Sequence, residues 1–191
     1  MSINQDNLGW LDLETTGFTD LSQHLVYKHR ILEIGVAVTD RAFNLIAKQT
    51  WVIHQDFAEI APLCDEVVQR MHSANGLFED VARADIDLAT AEQQVIQFLS
   101  DHGVPTNKSP LCGNGVHFDR MFLEAQMPAL NRHFRYRNMD ISSVKEFLIT
   151  LNPEYNPAKR VSHRALDDIL ESVDEARLYR ALLSPLLAES A

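Results

Sequence analysis

Between Trp10 and Gly17 the chain reads WLDLETTG, an alternation of apolar and acidic positions that closes on turn-forming residues. Residues two apart on a strand share a face. Asp12 and Glu14 therefore point one way and Leu11 and Leu13 the other, and Thr15, Thr16 and Gly17 supply turn chemistry at the strand end. A polar loop, Phe18–Arg30, follows and carries Lys28, His29 and Arg30 near its close. Ile31–Asp40 (ILEIGVAVTD) is rich in Ile and Val and predicts a strand, as does Leu45–Ile53 (LIAKQTWVI) after a turn-sized gap at Asp40–Asn44. Three strands in succession suggest an antiparallel meander.

Helical spacing takes over further on. Pro62–Met71 predicts a helix, and Gly76 breaks the stretch His72–Val81. Val95, Ile96, Phe98 and Leu99 give a helix over Thr90–His102, with Thr90 as its expected N-cap. Leu111–Gly113 reads as a short strand and Asn114–Gly115 as a loop. Phe118–Gln126 reads as a helix that Pro128 interrupts or restarts. Asn138–Ile141 is a further short strand, Ser142 or Ser143 caps a helix reaching Leu151, Asn152–Ser162 is a Pro-containing loop, and His163–Leu183 is a long helix. Strands that meander and later alternate with helices predict one α/β domain with a mixed central sheet flanked by helices.

A length of 191 residues suits one well-cored domain spanning the chain. A net charge of −10 argues against a protein that coats long nucleic acid by charge alone. It leaves room for a nucleic-acid enzyme with a small site, because carboxylates that hold metals add to the acidic count and the bound ions reverse the local sign. Cys64 and Cys112 lie far apart with no zinc spacing and read as free thiols. The polar start MSINQDNLGW and the lack of a membrane-length apolar run lead to the expectation of a cytoplasmic protein.

Two carboxylates on one strand face repel each other unless a cation lies between them. A divalent metal on oxygen ligands is the economical candidate, and two solvated acids at an exposed strand end are the alternative. Asp119, past the strand-loop Leu111–Gly115, and the segment HRALDDI with His163, Asp167 and Asp168 stand where α/β folds often build ligand sites. Asp119 also suits a helix-start acid held by the helix dipole.

LDLETTG, GNGVHFDRMFL and HRALDDI together resemble the three motifs of the DEDDh family, 3′-to-5′ exonucleases with a ribonuclease-H-like fold. Within it the chain is most similar to the oligoribonuclease family. The similarity runs from about Asn7 to Leu183 and includes HSANGL, KSPLCGN and RYRNMDISS. The resemblance implies that Asp12, Glu14, Asp119 and Asp168 hold two divalent ions, Mg²⁺ or Mn²⁺, and that His163 is the general base. Its His-x4-Asp spacing selects Asp168 over Asp167. Five helical positions turn through about 500°, so His163 and Asp168 would not share a helix face; His163 is expected in a loop or first turn. Hard oxygen ligands suit Mg²⁺ or Mn²⁺, a two-ion site suits phosphodiester hydrolysis, and histidine titrates near neutral pH. The implied product is a nucleoside 5′-monophosphate.

The same resemblance implies a homodimer acting on short RNA oligonucleotides, including 5′-phosphorylated dinucleotides. Tyr136 would reach the scissile phosphate in the neighbouring subunit. Arg137, Ser142 and Ser143 match the segment that caps the 5′-phosphate, and His72 matches a position near that cap. Three positions depart from the family. Phe18 stands for a leucine wedge between bases, Val67 for a stacking tryptophan, and Gly115 for a cap serine. Phe18 retains a surface on which a base can stack. The alternatives are a DEDDh exonuclease acting on longer RNA or DNA ends and a non-catalytic dimeric binding module.

Overall fold

The computed structural model describes residues 6–17, 28–154 and 162–188. Phe18 with most of its loop, and most of the Asn152–Ser162 loop, lie outside the described residues. Five strands form one mixed sheet in the order β3-β2-β1-β4-β5: β1 (Leu8–Thr15), β2 (Ile31–Thr39), β3 (Leu45–Val52), β4 (Leu111–Gly113) and β5 (Asn138–Asp140). The expected meander is present, with β1 antiparallel to β2 and β2 to β3. β4 and β5 then join in parallel beside β1, which places the acidic strand at the centre.

Eight α-helices surround the sheet among the described residues: α1 (Phe57–Ile60), α2 (Glu66–Ala74), α3 (Leu77–Arg83), α4 (Leu88–Asp101), α5 (Val116–Gln126), α6 (Pro128–His133), α7 (Ile141–Leu151) and α8 (Ala165–Ala188), with a 3-10 turn over Ala61–Leu63. Helix starts differ from the sequence expectation because aspartates cap them. Asp87 Oδ1 accepts from Thr90 N at 2.7 Å, so α4 begins before Thr90. Asp140 Oδ1 accepts from Ser142 N at 3.1 Å, displacing the serines from the cap of α7. Asp65 caps α2 through Val68 N at 2.9 Å, and the stretch around Pro62 forms the separate 3-10 turn. A side-chain acceptor at the N-cap satisfies one of the orphan N–H groups of the first turn. α8 begins at Ala165 rather than His163, whose φ of 51° is left-handed, and it runs past Leu183 to Ala188.

The two faces of β1 are divided as the alternation demands. Leu11 joins Ile34, Val36 and Val38 of β2 in a core covered by Val95 and Leu99 of α4 and by Phe122 and Leu123 of α5. On the other face Leu8 and Trp10 pack under Ile169, Val173, Ala176 and Tyr179 of α8. That face therefore changes from apolar at Leu8 and Trp10 to acidic at Asp12 and Glu14, next to the start of α8. β2 is sandwiched between both layers and is buried at every position.

Gly35 of β2 is the point of closest approach. A Cβ added there would lie 2.3 Å from the carbonyl carbon of Ala165, the first residue of α8. Gly35→Ala is therefore expected to destabilise the fold by about 1–3 kcal/mol through overpacking. A urea melt would read this, and an unchanged midpoint would contradict the seating of α8 on β2.

Candidate metal centre

Asp12 and Glu14, from the second half of β1, meet Asp168 from the first turn of α8. The three offer carboxylate oxygens that all lie within 4.8 Å of one another. Glu14 is only 8% exposed. Its carboxyl is pushed up to about 8, first by burial, then by the charges of Asp168 and Glu33, while Arg164 pulls it the other way. A set of hard oxygen donors with excess negative charge fits a divalent cation of the Mg²⁺ or Mn²⁺ type.

Asp119 stands beside this set rather than within it. β4 pairs with β1 only at Gly9 and Trp10, so the ladder has ended before Leu13. Asp119 Oδ1, from the first turn of α5, accepts the Leu13 N–H at 3.1 Å. A backbone donor that a longer β4 would have satisfied is thus satisfied by a carboxylate. Burial, and more weakly the charge of nearby Asp140, raise the Asp119 carboxyl to about 7, against the pull of hydrogen bonds from its own N–H and that of Leu13.

His163 precedes α8 and is exposed, in agreement with the expectation of a loop position. Asn75 Nδ2 donates to its backbone carbonyl. Its neighbour Ser162 donates through Oγ to Asp168 Oδ1 at 3.2 Å.

The sequence profile of the RNase T exonuclease family matches residues 10–176. Oligoribonuclease of Neisseria meningitidis serogroup A is 38% identical over 93% of this chain and 92% of its own length. Oligoribonuclease of Chromobacterium violaceum is 39% identical, covering 94% of this chain and 97% of its own. The chain belongs to the oligoribonuclease family of exonucleases. Membership makes it a nuclease, a hydrolase of phosphodiester bonds. Solved structures of exonuclease I from Methylocaldum szegediense (TM-score 0.68, 16% identity) and of a zinc-bound E. coli ExoI–ssDNA complex (TM-score 0.67, 14% identity) share the fold. They cover 92% and 97% of this chain, which spans 40% and 43% of theirs.

The remaining residues singled out in the sequence fall at three places. His72 on α2 is completely buried; its Nε2 lies 3.0 Å from the Thr15 carbonyl and 3.8 Å from Glu14 Oε2, so the ring supports the acidic end of β1. Ser142 Oγ donates to Asp140 Oδ1 at 2.5 Å and accepts from Gly115 N at 3.3 Å. Ser142, which the resemblance assigns to the substrate cap, is thereby brought against Gly115, which departs from it, and Ser143 beside them is exposed. Tyr136 is 81% exposed, with Arg137 Nε donating to its hydroxyl at 2.9 Å, and Val67 lies exposed on α2. Sequence reasoning missed Glu33, Asn75, Asp140 and Arg164. For Glu33 a signal was available, since a lone acid inside the apolar run ILEIGVAV has to be paired if that strand is buried.

Glu14 yields a pH prediction. Between its ordinary value of 4.5 and about 8 the folded protein holds a proton that the unfolded chain releases. Its contribution to metal-free stability is full below the lower value and is lost as pH rises through the upper one. In chelator, the stability of the wild type relative to Glu14→Gln should fall across that window. Added Mn²⁺ should stabilise the wild type more strongly as pH rises, because binding displaces the proton. Parallel melting curves for the two proteins at all pH values would contradict the assignment.

Proposed function

We propose that the protein is a 3′-to-5′ exoribonuclease that degrades short oligoribonucleotides, dinucleotides in particular, to nucleoside 5′-monophosphates. The observation that carries the reading is the convergence of Asp12, Glu14 and Asp168 within 4.8 Å, in a chain about 38% identical to oligoribonucleases over nearly its whole length. Two Mg²⁺ or Mn²⁺ ions, held by these carboxylates with Asp119, would supply Lewis-acid stabilisation of charge on the scissile phosphate. His163 takes a proton from the attacking water. The water oxygen bonds to phosphorus, the P–O3′ bond breaks, and the released O3′ takes a proton from solvent.

Tyr136 completes the site of a second subunit in a homodimer. Its exposure supports this, because a large aromatic with a hydroxyl suits a surface that becomes buried on association. Phe147 and Leu151 of α7 and Leu178 and Leu182 of α8 are also exposed apolar residues. Arg137, Ser142 and Ser143 cap the 5′-phosphate, where a charge-assisted multi-donor contact rewards a short substrate end. His72 acts close to that cap by holding the end of β1, and Phe18 stacks on a base. The protein works in the cytoplasm, in keeping with two free buried thiols. Among the described residues no helix is long and apolar enough to cross a membrane.

Two measurements test this reading. With Mn²⁺, a 5′-phosphorylated dinucleotide should turn over faster than a heptamer or a twenty-mer, and EDTA should abolish activity. Equal rates on the twenty-mer would remove the length preference. His163→Ala and Tyr136→Ala should each lose most turnover, yet mixing the two proteins should restore about a quarter of wild-type activity, since half of random dimers are mixed and each of those carries one intact site. No recovery on mixing would contradict the shared site.

A further inference from the structure

Glu33 and Glu14 are direct cross-strand partners on β2 and β1. Like charges placed opposite one another on a sheet destabilise it, and Glu33 is almost completely buried. Its carboxylate is nevertheless fully engaged. Arg164 donates from Nε to both oxygens, at 3.2 and 3.1 Å, and from Nη2 to Oε1 at 2.8 Å. Thr50 Oγ1 donates to Oε1 at 3.2 Å, and the N–H of Ala165, the first residue of α8, donates to Oε2 at 3.0 Å. With its oxygens occupied in this way, Glu33 belongs to the framework rather than to the set that faces a metal.

Arg164 extends the connection to a third element. Its Nη1 lies 2.9 Å from Asp80 Oδ2 of α3 and 3.4 Å from the Asn75 carbonyl. Asn75 Nδ2 in turn donates to the His163 carbonyl. His163 itself has a φ of 51°, a left-handed backbone that a residue with a Cβ keeps only when its surroundings impose it. On one side of His163, Ser162 reaches Asp168; on the other, Arg164 and Ala165 are fastened to β2 at Glu33, above the close approach at Gly35.

We propose that Glu33 and Arg164 form a positioning clamp that holds the Ser162–Ala165 segment in its left-handed turn, so that His163 is presented to the carboxylates at the start of α8. The clamp rests on the reading of His163 as the base. It touches no reacting atom and acts through the backbone of the base. Misplacing a reacting group by about an ångström costs on the order of a hundredfold in rate, so a loosened turn should show in turnover before it shows in affinity.

The test is a double-mutant cycle in the full-length protein with saturating Mn²⁺ and a 5′-phosphorylated RNA dinucleotide, read in single turnover with excess enzyme. Glu33→Gln should lower the rate at saturating enzyme roughly ten- to hundredfold, while the enzyme concentration giving half that rate and the Mn²⁺ affinity move less than about threefold. In a His163→Ala background the same substitution should cost less than about threefold, because the group it positions is gone. Hydrogen exchange at the 162–165 amides should be faster in Glu33→Gln than in the wild type. Equal losses in both backgrounds, a matching loss of Mn²⁺ affinity, or unchanged exchange would overturn the clamp. If Glu33→Gln does not fold, Arg164→Met at the partly exposed end of the pair serves the same cycle. Wild-type turnover in His163→Ala alone would instead remove the base assignment, and hydrogen exchange would then decide the clamp separately.

Discussion

Repulsion among carboxylates at the end of β1 is the constraint to which the rest of the molecule answers. Asp12, Glu14 and Asp168 crowd together, Glu33 stands opposite Glu14, and Asp119 lies across the strand. Burial first and the neighbouring carboxylates after it favour protonating such a group, and together they push the Glu14 carboxyl up to about 8. A fold that gathers acids in this way is poised for cations that its own side chains supply only in part.

Three features make the gathering possible. β4 ends early, which frees the Leu13 N–H for Asp119 and brings the start of α5 against β1. Gly35 lets the start of α8 lie directly on β2, which sets Asp168 beside the acids of β1. The Arg164 fork on Glu33 then neutralises the acid that serves no ligand role and ties the turn before α8 to the sheet. Packing distributes the labour along a single strand face: Leu8 and Trp10 anchor β1 under α8, and Asp12 and Glu14 extend past that anchor into the site.

Much of this was legible in the residues. The alternation in WLDLETTG places acids and leucines on opposite faces, as observed, and the aliphatic runs mark β2 and β3 to within a residue or two. The spacing of His163 and Asp168 called for a loop or first-turn place for His163; it lies in the loop, and α8 begins at Ala165 rather than at His163 as the helical pattern suggested. Helix starts were misread because Thr90, Ser142 and Ser143 are plausible caps by type, whereas the choice among nearby polar residues depends on where the preceding chain is extended, as at Asp87 and Asp140. Of the clamp, only the need of Glu33 for a partner was legible, not the identity of that partner. Glu33 and Arg164 are 131 positions apart, and the seating of the start of α8 on β2 brings them together.

The most direct test of the central claim is crystallographic. Crystals grown with Mn²⁺ and measured at the manganese absorption edge should show anomalous density in contact with Asp12, Glu14 and Asp168, and that density should vanish in Asp168→Asn. A well-ordered site with no anomalous signal among these carboxylates would contradict the account, because the repulsion on which it rests would then be relieved by protonation rather than by metal.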